Sequence, residues 1–158
     1  METQKLIEKL AEHPFCRGLD DHHMRKLATL TNEVRFYDDQ VIFRQGDDSS
    51  SFYLVVSGKI GIEVAATGRT LRIQTLGEGE VLGWSSLLGG REKQFQARAV
   101  GAVRALAFDG PRLREACDED CPLGYALTRR LLRVVADRLQ ALRIQLLDLY
   151  TPAGAKEK

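Results

Sequence analysis

The feature that most constrains this chain is a change of hydrophobic period near Glu33 and a change back near Pro111. Between those points apolar residues tend to recur every second position, the period of half-buried strands. Val34 and Phe36 alternate with Arg35 and Tyr37, and Val41-Ile42-Phe43 is a short apolar run. Phe52 to Val56 is apolar on both faces. Ile60, Ile62 and Val64 alternate with Gly61 and Glu63, and Leu71 and Ile73 with Arg72 and Gln74. Ala97, Ala99, Val103, Ala105 and Ala107 continue the pattern. Turn signals separate these runs at Asp38-Asp39, Gly46-Asp47-Asp48, Ser57-Gly58, Thr67-Gly68 and Gly77-Glu78-Gly79. Short strands at this spacing predict a sandwich or a barrel.

Helical periodicity flanks this region. Leu6, Ile7, Leu10 and Ala11 predict a helix over 3–12, which Pro14 stops. Asp20 or Asp21 can cap a second helix carrying Met24, Leu27, Ala28 and Leu30 on its apolar face. Beyond the strands, Pro111 to Cys117 reads as a short helix with proline in its first turn. A long helix is expected from about Pro122 to Tyr150. Along it Leu132, Val135, Leu139, Leu142, Leu146 and Leu149 follow the alternating three-and-four spacing of a coiled-coil seam. A second band (Leu127, Leu131, Val134, Ala141 and Leu147) runs beside it. Such a helix can lie on its own domain and also meet a second copy; the alternative is one broad stripe facing the core.

The 158 residues suit one domain with a core that needs no disulfides. The expected division is helices over 1–32, the strand region over 33–109, helices including the seam over 110–150, and a disordered tail over 151–158. A net charge of +1 supplies no global field for nucleic acid or a membrane surface. The three cysteines, Cys16, Cys117 and Cys121, do not form a disulfide framework. No signal peptide or membrane-length apolar run is evident, so the cytoplasm is the expected location. No nucleophile elbow, Walker loop or other catalytic motif is present, and the reading is that of a non-enzyme. His13, His22 and His23 all precede the first strand, which argues against a metal site on strands. His22-His23 reads as a solvated helix face.

The order and spacing of two motifs go further. Phe43-Arg44-Gln45-Gly46-Asp47 is followed by Phe52 to Val56, Ser57-Gly58-Lys59-Ile60, and then Leu76-Gly77-Glu78-Gly79-Glu80-Val81-Leu82-Gly83. Over about residues 15–150 this resembles the cyclic nucleotide-binding domain, as found in the catabolite activator protein and kinase regulatory subunits. The resemblance implies a fold that is mainly β with flanking helices: a double-stranded β-helix (jelly-roll) barrel with N-terminal helices and a long C-terminal helix. It also implies a phosphate cassette. In the family a glycine precedes a glutamate that takes the ribose hydroxyl. A short helix follows, and an arginine ten residues after the glycine pairs with the cyclic phosphate. Here Gly83 is present, but Trp84 stands at the glutamate position and Lys93 at the arginine position. Lysine keeps the charge and loses the bidentate fork. Tryptophan donates a hydrogen bond and accepts none, so ordinary cAMP binding in the usual pose is disfavoured. The Gly-Trp-Ser cassette looks like a bacterial stand-alone branch of the family.

The ligand-binding candidates are Leu82, Gly83, Trp84, Ser85, Ser86, Lys93 and Gln94, with Arg91 and Arg98 weaker. Trp84 can serve as a stacking platform or can plug the pocket. Ser85 and Ser86 can contact a phosphate or merely cap a helix. Two functions remain open. One is a stand-alone sensor of a small anion, a cyclic nucleotide or a relative, signalling through the C-terminal helix. The other is a ligand-free dimeric scaffold that docks a separate effector protein. No DNA-binding module is expected after the long helix.

Overall fold

A computed structural model describes residues 2–48, 50–89 and 92–151. Helix α1 (Glu2–Glu12) and α2 (Asp21–Ala28) precede the strands. Asp20 caps α2, its carboxylate accepting from His23 N at 2.9 Å. The strands are β1 (Thr31–Phe36), β2 (Val41–Phe43), β3 (Ser51–Ala66), β4 (Arg69–Leu76), β5 (Val81–Leu82) and β6 (Gln96–Asp109). A 3-10 helix, Trp84–Leu88, follows β5. Helices α3 (Gly110–Glu119) and α4 (Cys121–Tyr150) close the chain. Asp109 and Asp120 cap them by accepting from Arg112 N and Leu123 N, each at 3.2 Å.

The strands form one antiparallel six-stranded sheet, ordered β1-β6-β3-β4, with β2 added to β6 and β5 to β3. This sheet is open, because its edge strands β1 and β4 do not pair with each other. The expected jelly-roll barrel is therefore not formed, and with four helices the fold is mixed α and β rather than mainly β. Alternation reports which face of a strand is buried; closure depends on edge strands meeting far apart in sequence. Along most of its length β4 is exposed, so that edge faces solvent.

One expected turn is not a turn. Ser57-Gly58 lies inside the continuous strand β3, where the register with β6 shifts. Gly58 has φ +93°, and a Cβ there would collide with the backbone carbonyl of Ala102. A bulge lets the strand bend where a break was expected. Ala97 to Ala107 also form one strand, through Gly101.

Sheet residues feed two apolar clusters. Phe52, Leu54, Val81, Leu106 and Phe108 meet Leu10, Phe15, Met24 and Leu27 from the N-terminal segment and Leu113, Leu123 and Leu127 from the C-terminal helices. Val55, Ile60, Ile62, Leu76, Leu82, Ala97, Ala99 and Val103 form the second cluster with Phe43. Burying a leucine of this kind stabilises by roughly 1.5–3 kcal/mol relative to exposure. The first half of α4 is anchored by Leu123, Leu127 and Leu131, one per turn. From Leu139 to Tyr150 every residue of α4 is exposed. No helix among the described residues is long and apolar enough to cross a membrane.

Candidate functional site

The candidate site begins where β5 ends. Tyr53 and Leu54 of β3 hold Leu82 and Val81 in register, and the chain then turns at Gly83. Gly83 is left-handed (φ +80°, ψ 26°), and a Cβ there would lie 2.5 Å from Ser51 O and 3.0 Å from Lys93 Nζ. Only glycine meets both conditions, the positive φ and the close approach of another backbone. The 3-10 helix follows at once. Ser86 is buried, and its N–H and its hydroxyl both donate to Gly83 O, at 3.1 and 2.9 Å. Its hydroxyl is thus bonded back to the turn carbonyl and does not cap the helix, whose N-terminus has no side-chain cap. Ser86 also packs against Gly110, whose N–H donates to Ser50 O at 2.7 Å. The cassette is thereby tied to the starts of β3 and α3.

Lys93 reaches the same turn from the other side. Its N–H donates to Asp47 O at 2.8 Å and its carbonyl accepts from Gly46 N at 2.9 Å. Its side chain is only 4% exposed. The ammonium donates to Ser51 O at 3.3 Å and sits 4.5 Å from the centre of the Phe43 ring. Among the described residues no carboxylate lies within ion-pair distance of it. Burial pushes its pKa down to about 8. The cation–π contact offsets part of that burial, but an ammonium with one long hydrogen bond remains under-satisfied.

The remaining candidates divide by environment. Trp84 is half-buried and, with Leu87, packs against the first apolar cluster. Ser85 is half-buried, whereas Leu82 belongs to the second cluster and Gln94 is exposed. Arg91 lies outside the described residues. Arg98 is committed elsewhere: it donates to Glu63 at 3.2 Å and to Asp39 O at 3.0 Å. Burial pushes the Glu63 carboxyl up, but Gln96, Arg98 and Arg72 hold it below the usual carboxylate range. The histidine pair is not the uniform solvated face expected. His22 is exposed, whereas His23 is buried and lies 3.5 Å from Asp120. That helical periodicity placed both on one polar surface; the return of Asp120 at the α3–α4 junction buries one of them.

Sequence reasoning missed two features. Arg138, midway along α4, donates to Val81 O, two residues before Gly83, and so ties α4 to the strand that carries the cassette. A cavity of about 600 Å³ opens beside that contact, lined by α4, β5 and the segment after α1, and does not include Gly83 to Ser86 or Lys93. A smaller one of about 180 Å³ lies between Leu87 and Leu88 of the 3-10 helix and Leu127 and Leu131 of α4. The only sequence signal for either was a run of arginines on one side of α4, which also fits an ordinary solvated face.

Comparison with known proteins places these observations. The chain is 26% identical over 136 residues to the cAMP-dependent protein kinase regulatory subunit of Dictyostelium discoideum, covering 83% of this chain and 41% of that one. It is 27% identical over 143 residues to the CRP-like cAMP-activated global transcriptional regulator of Mycobacterium tuberculosis, covering 90% and 62%. This chain thus spans less than two thirds of either relative. A cyclic nucleotide-binding domain from Methylobacillus flagellatus shares the fold, with a TM-score of 0.79 at 15% identity over 95% of this chain and 85% of that one. The cyclic nucleotide-binding domain family matches residues 33–120, more than half of the chain, including Gly83 to Ser86 and Lys93. By that match the chain belongs to the cyclic nucleotide-binding domain family.

Proposed function

We propose that this chain is a sensor domain that binds a small anion, a cyclic nucleotide or a related phosphate, against Gly83, Trp84, Ser85, Ser86 and Lys93, with Leu82 and Gln94 flanking the site. The observation that carries this reading is the buried Lys93 ammonium, 3.0 Å from the position a Gly83 Cβ would take and, among the described residues, without a carboxylate partner. A buried charge is stable only when paired, and an anion at Gly83 supplies the pair. Signalling would run along Val81 to Arg138 and so to α4. A ligand shifts α4 only as far as it binds one packing better than the other. The same reading takes the Gly-Trp-Ser segment as a distinct cassette, in which Trp84 offers a flat surface where the family has a carboxylate. Residues 1–32, 33–109 and 110–150 would act together as one domain. The seam Leu132, Val135, Leu139, Leu142, Leu146 and Leu149 would join two copies.

A second reading is favoured by one specific observation. Trp84 and Leu87 already pack against the first apolar cluster, which is the arrangement of a plugged pocket. In that case the chain is a ligand-free scaffold that docks a separate effector.

Thermal melting separates the two. The protein would be melted with cAMP, cGMP, cyclic dinucleotides and inorganic phosphate, beside Lys93→Met, which keeps the buried volume without the charge. A ligand at 100 times its Kd stabilises by about 2.7 kcal/mol, a rise of several degrees. A rise that Lys93→Met abolishes supports the sensor. Flat traces for every compound support the scaffold.

A further inference from the structure

The cavity of about 600 Å³ beside α4 carries charge out of proportion to the molecule. Five arginines line it, Arg17, Arg129, Arg130, Arg133 and Arg138, against two carboxylates, Glu80 and Asp137. The chain as a whole has a net charge of only +1. Among the described residues none of the five forms an ion pair. Asp137 lies one turn after Arg133 yet does not pair with it, an order along the helix that favours pairing less than the reverse.

Three of the arginines are held by backbone carbonyls, the weakest contact being Arg17 to Glu12 O at 3.4 Å. Arg130 donates to Ala126 O at 3.1 Å and to Arg17 O at 3.0 Å, and Arg138 donates to Val81 O. These contacts hold guanidinium groups at the wall without neutralising them. Burial, partly opposed by the charge of Glu80, holds the Arg138 pKa below its ordinary value. Arg129 and Arg133 are exposed and stand one helical turn apart. The opposite wall is rigid, because buried His13 bonds to Val55 O at 3.1 Å and accepts from Phe15 N at 3.2 Å, which pins the Pro14-Phe15 segment to β3. Phe15, Val81 and Val134 add an apolar floor.

We propose that this groove is a second anion site, separate from the Lys93 cassette, and that it takes a compact polyanion of the polyphosphate class. Several guanidinium forks converging on one concavity match a ligand with several phosphate groups, each able to accept two parallel hydrogen bonds. The volume falls within the range of sites for small molecules and cofactors. Such a ligand bridges α4 to the segment after α1 and to β5, and so holds the middle of α4 against the domain.

The test is isothermal titration of the full chain with sodium tripolyphosphate in about 0.15 M salt, where exposed charges interact over only about 8 Å. The expected result is saturable binding at one site per chain. Arg129→Ala/Arg133→Ala should weaken it at least about tenfold, and Lys93→Met should leave it unchanged. Both arginines are exposed and alanine favours helix, so circular dichroism should match the parent protein. Arg133→Glu gives a second, single-site measure of the same loss. Absence of saturable heat, or binding that survives both arginine variants, overturns the proposal. Loss in Lys93→Met with the arginine variants unaffected overturns it too and assigns the heat to the cassette.

Discussion

Lys93 is where residue chemistry bears most directly on function. Its pKa is about 8 in the folded domain, and about 10.4 is expected in the unfolded chain. Between those values the unfolded state holds the proton that the folded state has released. Stability from this group therefore rises with pH across that window, and the charged form is the costly one at pH 7. The melting temperature of the parent protein should rise relative to that of Lys93→Met between pH 8 and pH 10. Anion affinity at the cassette should move the opposite way and weaken above about pH 8, as the ammonium is lost. Parallel melting profiles for the two proteins, or affinity that is flat through pH 9, would count against the buried, unpaired lysine. This charge was legible in the sequence as a lysine at the right spacing from Gly83; its burial was not, because Phe43 and Ser51 come from strands forty or more residues away.

At the scale of elements, the bulge in β3 is the feature on which the sheet depends. Gly58 brings β3 against the Ala102 carbonyl of β6 with a positive φ, so any Cβ there strains both strands. Gly68, in the β3–β4 turn, also has positive φ (+75°) but has nothing within 4 Å of its Cβ position. Gly58→Ala should cost several times as much stability as Gly68→Ala, whose expected cost is about 1 kcal/mol. Urea unfolding of both variants checks this, and equal midpoints would show that the bulge is not fixed by close packing. The same comparison explains the misread turn. Ser-Gly is a fair turn signal, and only the pairing of Val55 and Ser57 with Ala105 and Arg104 reveals that the strand continues. Helix α2 was easier to read, since its cap Asp20 acts through a neighbour three residues along the chain, whereas the caps Asp109 and Asp120 went unread.

For the molecule as a whole, likeness to cyclic nucleotide-binding domains supports a non-enzymatic role. Leu139, Leu142, Leu146 and Leu149 are between 48% and 80% exposed in the single chain. Four leucines on one helix present more apolar surface than an isolated monomer usually leaves open. If the seam joins two copies, sedimentation at micromolar concentration should give a dimer. Leu142→Glu/Leu146→Glu should then give a folded monomer, because neither residue contributes to the apolar core of the single chain. A parent protein that sediments as a monomer would end the dimer proposal and leave that face for an effector.

The sequence by itself determined the order of the helices and of most strands, the Asp20 cap and the glycine at 83. Each depends on residues a few positions apart, where periodicity and local hydrogen bonding decide the outcome. Tertiary structure alone decided that the sheet stays open, that Lys93 is buried beside Gly83, and that the arginines of α4 face Phe15 and Val81 across a cavity. Those outcomes depend on which distant surfaces meet, and strand closure and burial are set by contacts between segments whose local patterns are the same in either arrangement.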